Sequence, residues 1–197
     1  MTEITPDLAA AQERVESWWN DPDFVLPRLA HQLEDTAYLG EAMPLAFPVS
    51  TGLVAITAKY LGAPNVYVDR NTTWSSPIID DWENLPPLDF DPENLWWKRS
   101  ERLLNAGVRM IRDEGYEAFV GIPDLNGATE VLAGLRGPER FAMDFYDRPE
   151  VIKPAVRRVQ DAWFEAYRRS TAIAWMPSLR LTSWMQFSGC KAPGVAA

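Results

Sequence analysis

Histidine and cysteine are nearly missing from this sequence: 197 residues carry one of each, His31 and Cys190. A lone cysteine cannot close an intramolecular disulfide, which points to a reducing compartment and a cytoplasmic protein. His31 and Cys190 stand far apart, so they offer no zinc-ligand spacing, and no metal or other cofactor is expected. Positive charge is also short. Nineteen Lys and Arg stand against 28 Asp and Glu, giving a net charge of −9 and a pI near 4.7. Such a surface repels phosphate backbones, which excludes nucleic acid as an expected partner. No apolar stretch approaches the roughly 20 residues of a membrane span. The N-terminus MTEITPDLAAAQERVESWW is acidic and lacks the apolar core of a secretory signal. Glycine-rich phosphate loops, a nucleophile elbow and a dinucleotide fingerprint are all absent.

What is present is an ordinary globular composition, 47% hydrophobic and 24% charged, with nine tryptophans. Thr5, Pro6 and Asp7 suit the start of a helix with Leu8, Ala11, Val15, Trp18 and Trp19 on one face, and NDPD (20–23) ends it. A second short helix is predicted over 27–36. PLAFPVS (44–50) reads as a strand broken at Pro48, and GLVAITAKYLG (52–62) as a short helix. NVYVDRNTTW (65–74) reads as one strand whose polar end holds Asp69, Arg70 and Asn71. Residues 75–92 are an ordered acidic loop, because Ile78, Ile79, Trp82, Leu85, Leu88 and Phe90 are too apolar for a tether. Asp91-Pro92-Glu93 opens a helix that buries Trp97, Leu104, Val108 and Ile111 and stops at Gly115.

YEAFVGI (116–122) is short, apolar and β-rich, a buried strand of the parallel kind. It ends at Pro123-Asp124, and Asp124 or Asn126 can cap the next helix, which Gly137-Pro138 breaks. Asp147 and Glu150 have capping-box spacing for the longest helix. Its apolar positions are Ile152, Val156, Val159, Trp163, Ala166 or Tyr167, and Ile173. SLRLTSWM (178–185) alternates as a further strand. Strand, helical layer, strand is the pattern of α/β folds with parallel sheets.

The stretch GIPDLNGATEVLAGLRGPERFAMDFYDRPEVI with the long helix after it, together with TTWSSPIIDDWENL and LDFDPENLWWKR, resembles the uroporphyrinogen decarboxylase family. Within that family it is most similar to the decarboxylase-like proteins related to corrinoid methyltransferases. The resemblance runs from Pro44 to Trp184 and implies a (β/α)8 TIM barrel. Such barrels take roughly 250 residues, and FSGCKAPGVAA does not resemble the family's continuation. The expectation is therefore a C-terminally truncated chain, with an N-terminal helical segment over 1–43 and a partial (β/α) barrel over 44–197.

The activity the resemblance implies is cofactor-independent decarboxylation of a tetrapyrrole or related carboxylated substrate. Protonating a pyrrole carbon makes a cationic ring, which a carboxylate stabilises best where water is excluded. Arginines would neutralise the substrate's own carboxylates. The family's arginine-glutamine-alanine-glycine-arginine signature is absent, so candidates rest on location. Asp124 and Asp69 are the candidate catalytic acids at strand ends. Arg70 and Arg180 are candidates for substrate carboxylates, and Trp74, Asn126 and Trp184 for the pocket wall. The plain alternatives are a helix cap or turn acid for Asp124, ion pairing for the arginines, and packing for the tryptophans; Trp18, Trp97 and Trp163 fit helix core faces. The expected partner is a small molecule, tetrapyrrole or corrinoid-like, with neither membrane nor nucleic acid, and a homodimer stays open. Two rival readings remain: a corrinoid-dependent methyltransferase relative without zinc ligands, and a catalytically silent fragment.

Overall fold

The computed structural model describes residues 6–39, 42–50 and 56–174. Helix α1 (Pro6–Asn20) gives way to α2 (Pro22–Asp35) at Asp21, which is extended at φ −93° and ψ 122°. The Asp21 carboxylate accepts the Asp23 N–H at 3.1 Å, and Pro22 takes the first helical position, where its missing N–H matters least. NDPD thus ends one helix as expected and also starts the next. α2 begins ahead of the predicted 27–36 and holds Pro27 in its interior.

Strand β1 (Leu45–Ala46) pairs in parallel with β4 (Phe119–Val120), with Leu45 opposite Phe119 and Ala46 opposite Val120. The pair is extended by the Phe119 N–H to the Pro44 carbonyl at 2.9 Å and the Gly121 N–H to the Ala46 carbonyl at 2.8 Å. The parallel pairing expected of 116–122 is present, made with the 44–50 segment. The strand expected at 178–185 lies outside the described residues.

Between β1 and β4 come α3 (Ile56–Tyr60), β2 (Asn65–Tyr67), β3 (Thr73–Ser75) and α4 (Leu95–Asp113). β2 and β3 are antiparallel, with Val66 opposite Trp74. The single strand predicted over 65–74 is therefore a hairpin. Asp69 turns the chain by accepting the N–H groups of Asn71 at 2.7 Å and Thr72 at 2.8 Å. Aspartate does this readily because its short side chain satisfies backbone donors a few residues on. α4 is capped by Asn94, which accepts from Trp96 and Trp97, rather than by Asp91, whose carboxylate serves Glu93. Gly115, at φ 74°, ends α4 as expected, and the Tyr116 N–H turns back to the Ile111 carbonyl.

α5 (Ala128–Arg136), α6 (Pro138–Asp147) and α7 (Pro149–Ala174) complete the described chain, which is mostly helical with two two-stranded sheets. Gly137, at φ 91°, parts α5 from α6. α7 buries Ile152, Ala155, Val159, Ala162, Ala166, Ser170 and Ala174 in one stripe, while Val156, Trp163, Tyr167 and Ile173 flank it half-buried. That stripe joins two cores. Ile152, Ala155, Val159 and Ala162 pack with Ile79, Leu88, Val131 and Leu132. Ala166 and Ala174 join Val25, Leu29, Ala46, Leu104 and Val120. The 75–92 loop is ordered as expected, because Ile79 and Leu88 are fully buried in the first of these cores. Among the described residues no helix is long and apolar enough to cross a membrane.

Candidate functional site

The chain leaving β1 is Phe47-Pro48, two stiff residues that need space. Two glycines supply it. A Cβ on Gly121, just past β4, would fall inside the Phe47 ring, and a Cβ on Gly107 of α4 would sit 2.9 Å from Pro48 Cγ. The carboxyl end of β1 therefore rests directly on the end of β4 and on α4. Gly121→Ala is expected to lower stability by about 1–3 kcal/mol, because the ring must leave its rotamer. An unchanged urea midpoint would show that Phe47 swings freely.

Phe47 and Pro48 form one wall of a cavity of about 300 Å³ beside the carboxyl end of β1. Its apolar lining includes Trp19, Val25 and Leu29, and its polar lining is Arg28 and Gln32 of α2, Ser50, and Arg70 of the hairpin turn. The hairpin turn is held against α1: Trp19 Nε1 donates to the Asp69 carbonyl at 3.0 Å, and Asn20 Nδ2 donates to the Tyr67 hydroxyl. That anchorage brings Arg70 to Trp18, 4.6 Å from its guanidinium carbon to the ring centroid, while Arg28 lies 3.6 Å from the same centroid. Burial, and then the positive charge of Arg70, push the Arg28 guanidinium below its ordinary range.

The sequence-derived candidates separate into two groups. Asp69 and Arg70 share the hairpin turn, so Asp69 does not end a parallel strand. Asp124 and Asn126 follow β4. Asp124 is exposed and accepts the Asn126 N–H at 3.0 Å, the turn role weighed above. Neither residue caps α5; Gly127 holds that position, and Glu130 accepts its N–H at 2.8 Å. Asn126 adopts φ 54°, fixed by Trp163 Nε1 donating to its carbonyl at 2.9 Å, while Thr57 donates to the neighbouring Leu125 carbonyl at 2.7 Å. Trp74 is 59% exposed on β3, outside the cavity lining. Arg180 and Trp184 lie outside the described residues. Trp82, read as a loop aromatic, is buried and donates to Asp144 at 2.7 Å. His31 is an exposed side chain paired with Asp35 at 3.1 Å, one helical turn on.

Arg28 and Trp18 were not singled out as site residues by sequence reasoning. The available signal was Arg28 between Val25 and Leu29, a cation inserted into the apolar stripe of α2. No group of three or more His, Cys, Asp or Glu suited to a metal ion occurs among the described residues. No family model, no curated protein and no solved structure matches the chain.

Proposed function

We propose that the chain is a uroporphyrinogen decarboxylase-like domain on a partial (β/α)8 barrel. In this reading it works in the cytoplasm on a tetrapyrrole or related carboxylated molecule, releasing carbon dioxide without a cofactor. The observation that carries the reading is the cationic cavity beside the carboxyl end of β1 in a parallel strand pair. Ligands of parallel α/β sheets bind outside the carboxyl ends of the strands. Two arginines at such a place in a chain of net charge −9 suit a ligand carrying carboxylates. At about 300 Å³ the cavity is at the small end of ligand sites, which span roughly 300–1,000 Å³. It suits one carboxylated ring rather than a whole macrocycle.

Of the two candidate acids, Asp69 precedes Arg70 of the cationic wall in sequence, is exposed and does not itself line the cavity. In this reading its carboxylate reaches a protonated pyrrole that projects beyond the arginines. Asp124 follows the partner strand. The test is anaerobic incubation of the purified chain with uroporphyrinogen, following carbon dioxide and the less carboxylated products by chromatography. Turnover that Asp69→Asn lowers by about 100-fold or more is the expected result, the size of effect seen when one electrostatic partner of a transition state is removed. Release no faster than in buffer would overturn the reading.

A further inference from the structure

We propose that the cleft between α1, α2 and the β2–β3 turn is an oxyanion-binding site, in which Arg28 and Arg70 are the donors, Trp18 is the plane they stack on, and the ligand presents a carboxylate or a phosphate. The site shares its cavity with the decarboxylase-like reading and rests on it for nothing but the location of function there.

Arg28 is the centre of the case. Its Nη1 is buried with no hydrogen-bond partner among the described residues. A buried donor left unpaired is destabilising, and more so when charged. A guanidinium cannot shed its charge to escape that cost. Elsewhere the fold neutralises its half-buried arginines. Arg99 pairs with Glu16 at 2.5 Å and Arg136 with Asp144 at 2.7 Å. Arg28 instead meets a second cation on the same indole ring.

Asp69, next to Arg70 in sequence, does not neutralise the pair. Its Oδ1 is engaged by the N–H groups of Asn71 and Thr72, and it makes no ion pair among the described residues. No carboxylate is among the residues lining the cavity. Stacking uses the face of a guanidinium and leaves its N–H edge free for two parallel bonds to an oxyanion. Trp19, Val25, Leu29 and Phe47 make the surroundings apolar, which strengthens any charge pairing inside. An anion would supply the missing acceptor and relieve the repulsion between the two arginines.

The test is calorimetric titration of the full chain with inorganic phosphate in one arm and citrate in the other, against sodium chloride at equal ionic strength. Saturable binding is expected in at least one arm, and the tighter arm tells phosphate from carboxylate. Arg28→Met is expected to weaken it by about ten- to a hundredfold, as the loss of a charged hydrogen bond does. Arg157→Met, an exposed arginine of α7 outside the cavity lining, should leave it unchanged. Arg70→Met changes an exposed turn residue and gives an independent reading if Arg28→Met fails to fold. No saturable heat in either arm, or an equal loss in Arg157→Met, overturns the proposal. Anion binding without carbon dioxide release from uroporphyrinogen overturns the decarboxylase reading alone. Turnover without anion binding, untouched by Arg70→Met, overturns the oxyanion site alone.

Discussion

Lys59→Met is expected to stabilise the protein at pH 6 by up to about 5 kcal/mol, less the attractions the amine gives up, and to leave it almost unchanged above pH 10.5, since the pKa is displaced from 10.5 to about 7 and each unit is worth about 1.4 kcal/mol. Lys59 ends α3 and is fully buried. Its Nζ lies 3.4 Å from Thr73 Oγ1 and 5.6 Å from the centroid of the Trp96 ring, and it makes no ion pair among the described residues. Burial pushes the amine down from 10.5 to about 7. The unfolded chain therefore holds this proton more tightly than the folded one. Below pH 7 both states carry the charge, and the folded state bears the full penalty of burying it. Between pH 7 and 10.5 the folded state sheds the proton first, so stability rises with pH. Above 10.5 both states are neutral and the penalty is gone. Methionine keeps the length of the side chain and removes the charge, at the loss of the long hydrogen bond donated to Thr73 and the attraction to Trp96. Urea unfolding followed by tryptophan fluorescence at pH 6, 8 and 10 checks this. The gap between variant and parent should close as pH rises, and a gap independent of pH would mean that the folded amine keeps its ordinary pKa and that burial does not penalise its charge.

Nothing along the chain announces that lysine. GLVAITAKYLG reads as a short helix, but which face a five-residue helix buries depends on partners far away, here Thr73 and Trp96. Signals complete within a few residues are legible. NDPD carries its own cap and proline, Gly115 supplies a positive φ, and Gly137-Pro138 both ends and begins a helix. The period of α7 is legible because 26 residues average out local exceptions. The hairpin is not, because NVYVDRNTTW alternates straight through its turn. The two short strands share the period of one long one, and only the turn chemistry of Asp69 and Asn71 separates them.

The candidate site follows the same division. That a strand ends near the candidate cavity is legible, because an apolar run stopping at Pro123-Asp124 marks the end of β4. Arg70 is legible as a cation at the polar end of an extended run, though not as part of a turn. Its partner is not. Arg28 is 42 positions earlier in the sequence, on a helix whose registry with the hairpin is set by the bonds from Trp19 to the Asp69 carbonyl and from Asn20 to Tyr67. Trp18 fits the core face of α1 by spacing, yet it is half-buried with two guanidinium groups against its ring. Helical spacing tells which residues share a face, and leaves open whether that face meets a core or a cavity.

Asp144→Ala is expected to lower stability by about 3–5 kcal/mol, the range for breaking one side of a buried ion pair. Asp144 Oδ2 accepts Arg136 Nε and Trp82 Nε1, both at 2.7 Å, in surroundings where the Asp144 and Arg136 side chains are 11% and 12% exposed. Arg136 also donates to the carbonyls of Ile79 at 3.1 Å and Asp80 at 2.5 Å. One carboxylate thus joins α6, α5 and the acidic loop, and removing it leaves a buried cation and a buried indole N–H unanswered. Burial alone would raise the Asp144 pKa, but the bonds from Arg136 and Trp82 outweigh it and hold the carboxyl below its ordinary range. Its contribution is therefore fully present above the unfolded carboxyl pKa, near 4, and is lost as pH falls through the lower folded value. Asp144→Asn keeps an acceptor without the charge and should lose less than alanine does. Adding Arg136→Met to Asp144→Ala should restore part of the loss, because no unpaired cation then remains. If the double variant is no more stable than Asp144→Ala in thermal unfolding, Arg136 is held by the loop carbonyls alone, and the ion pair is not what fastens the loop to the helices.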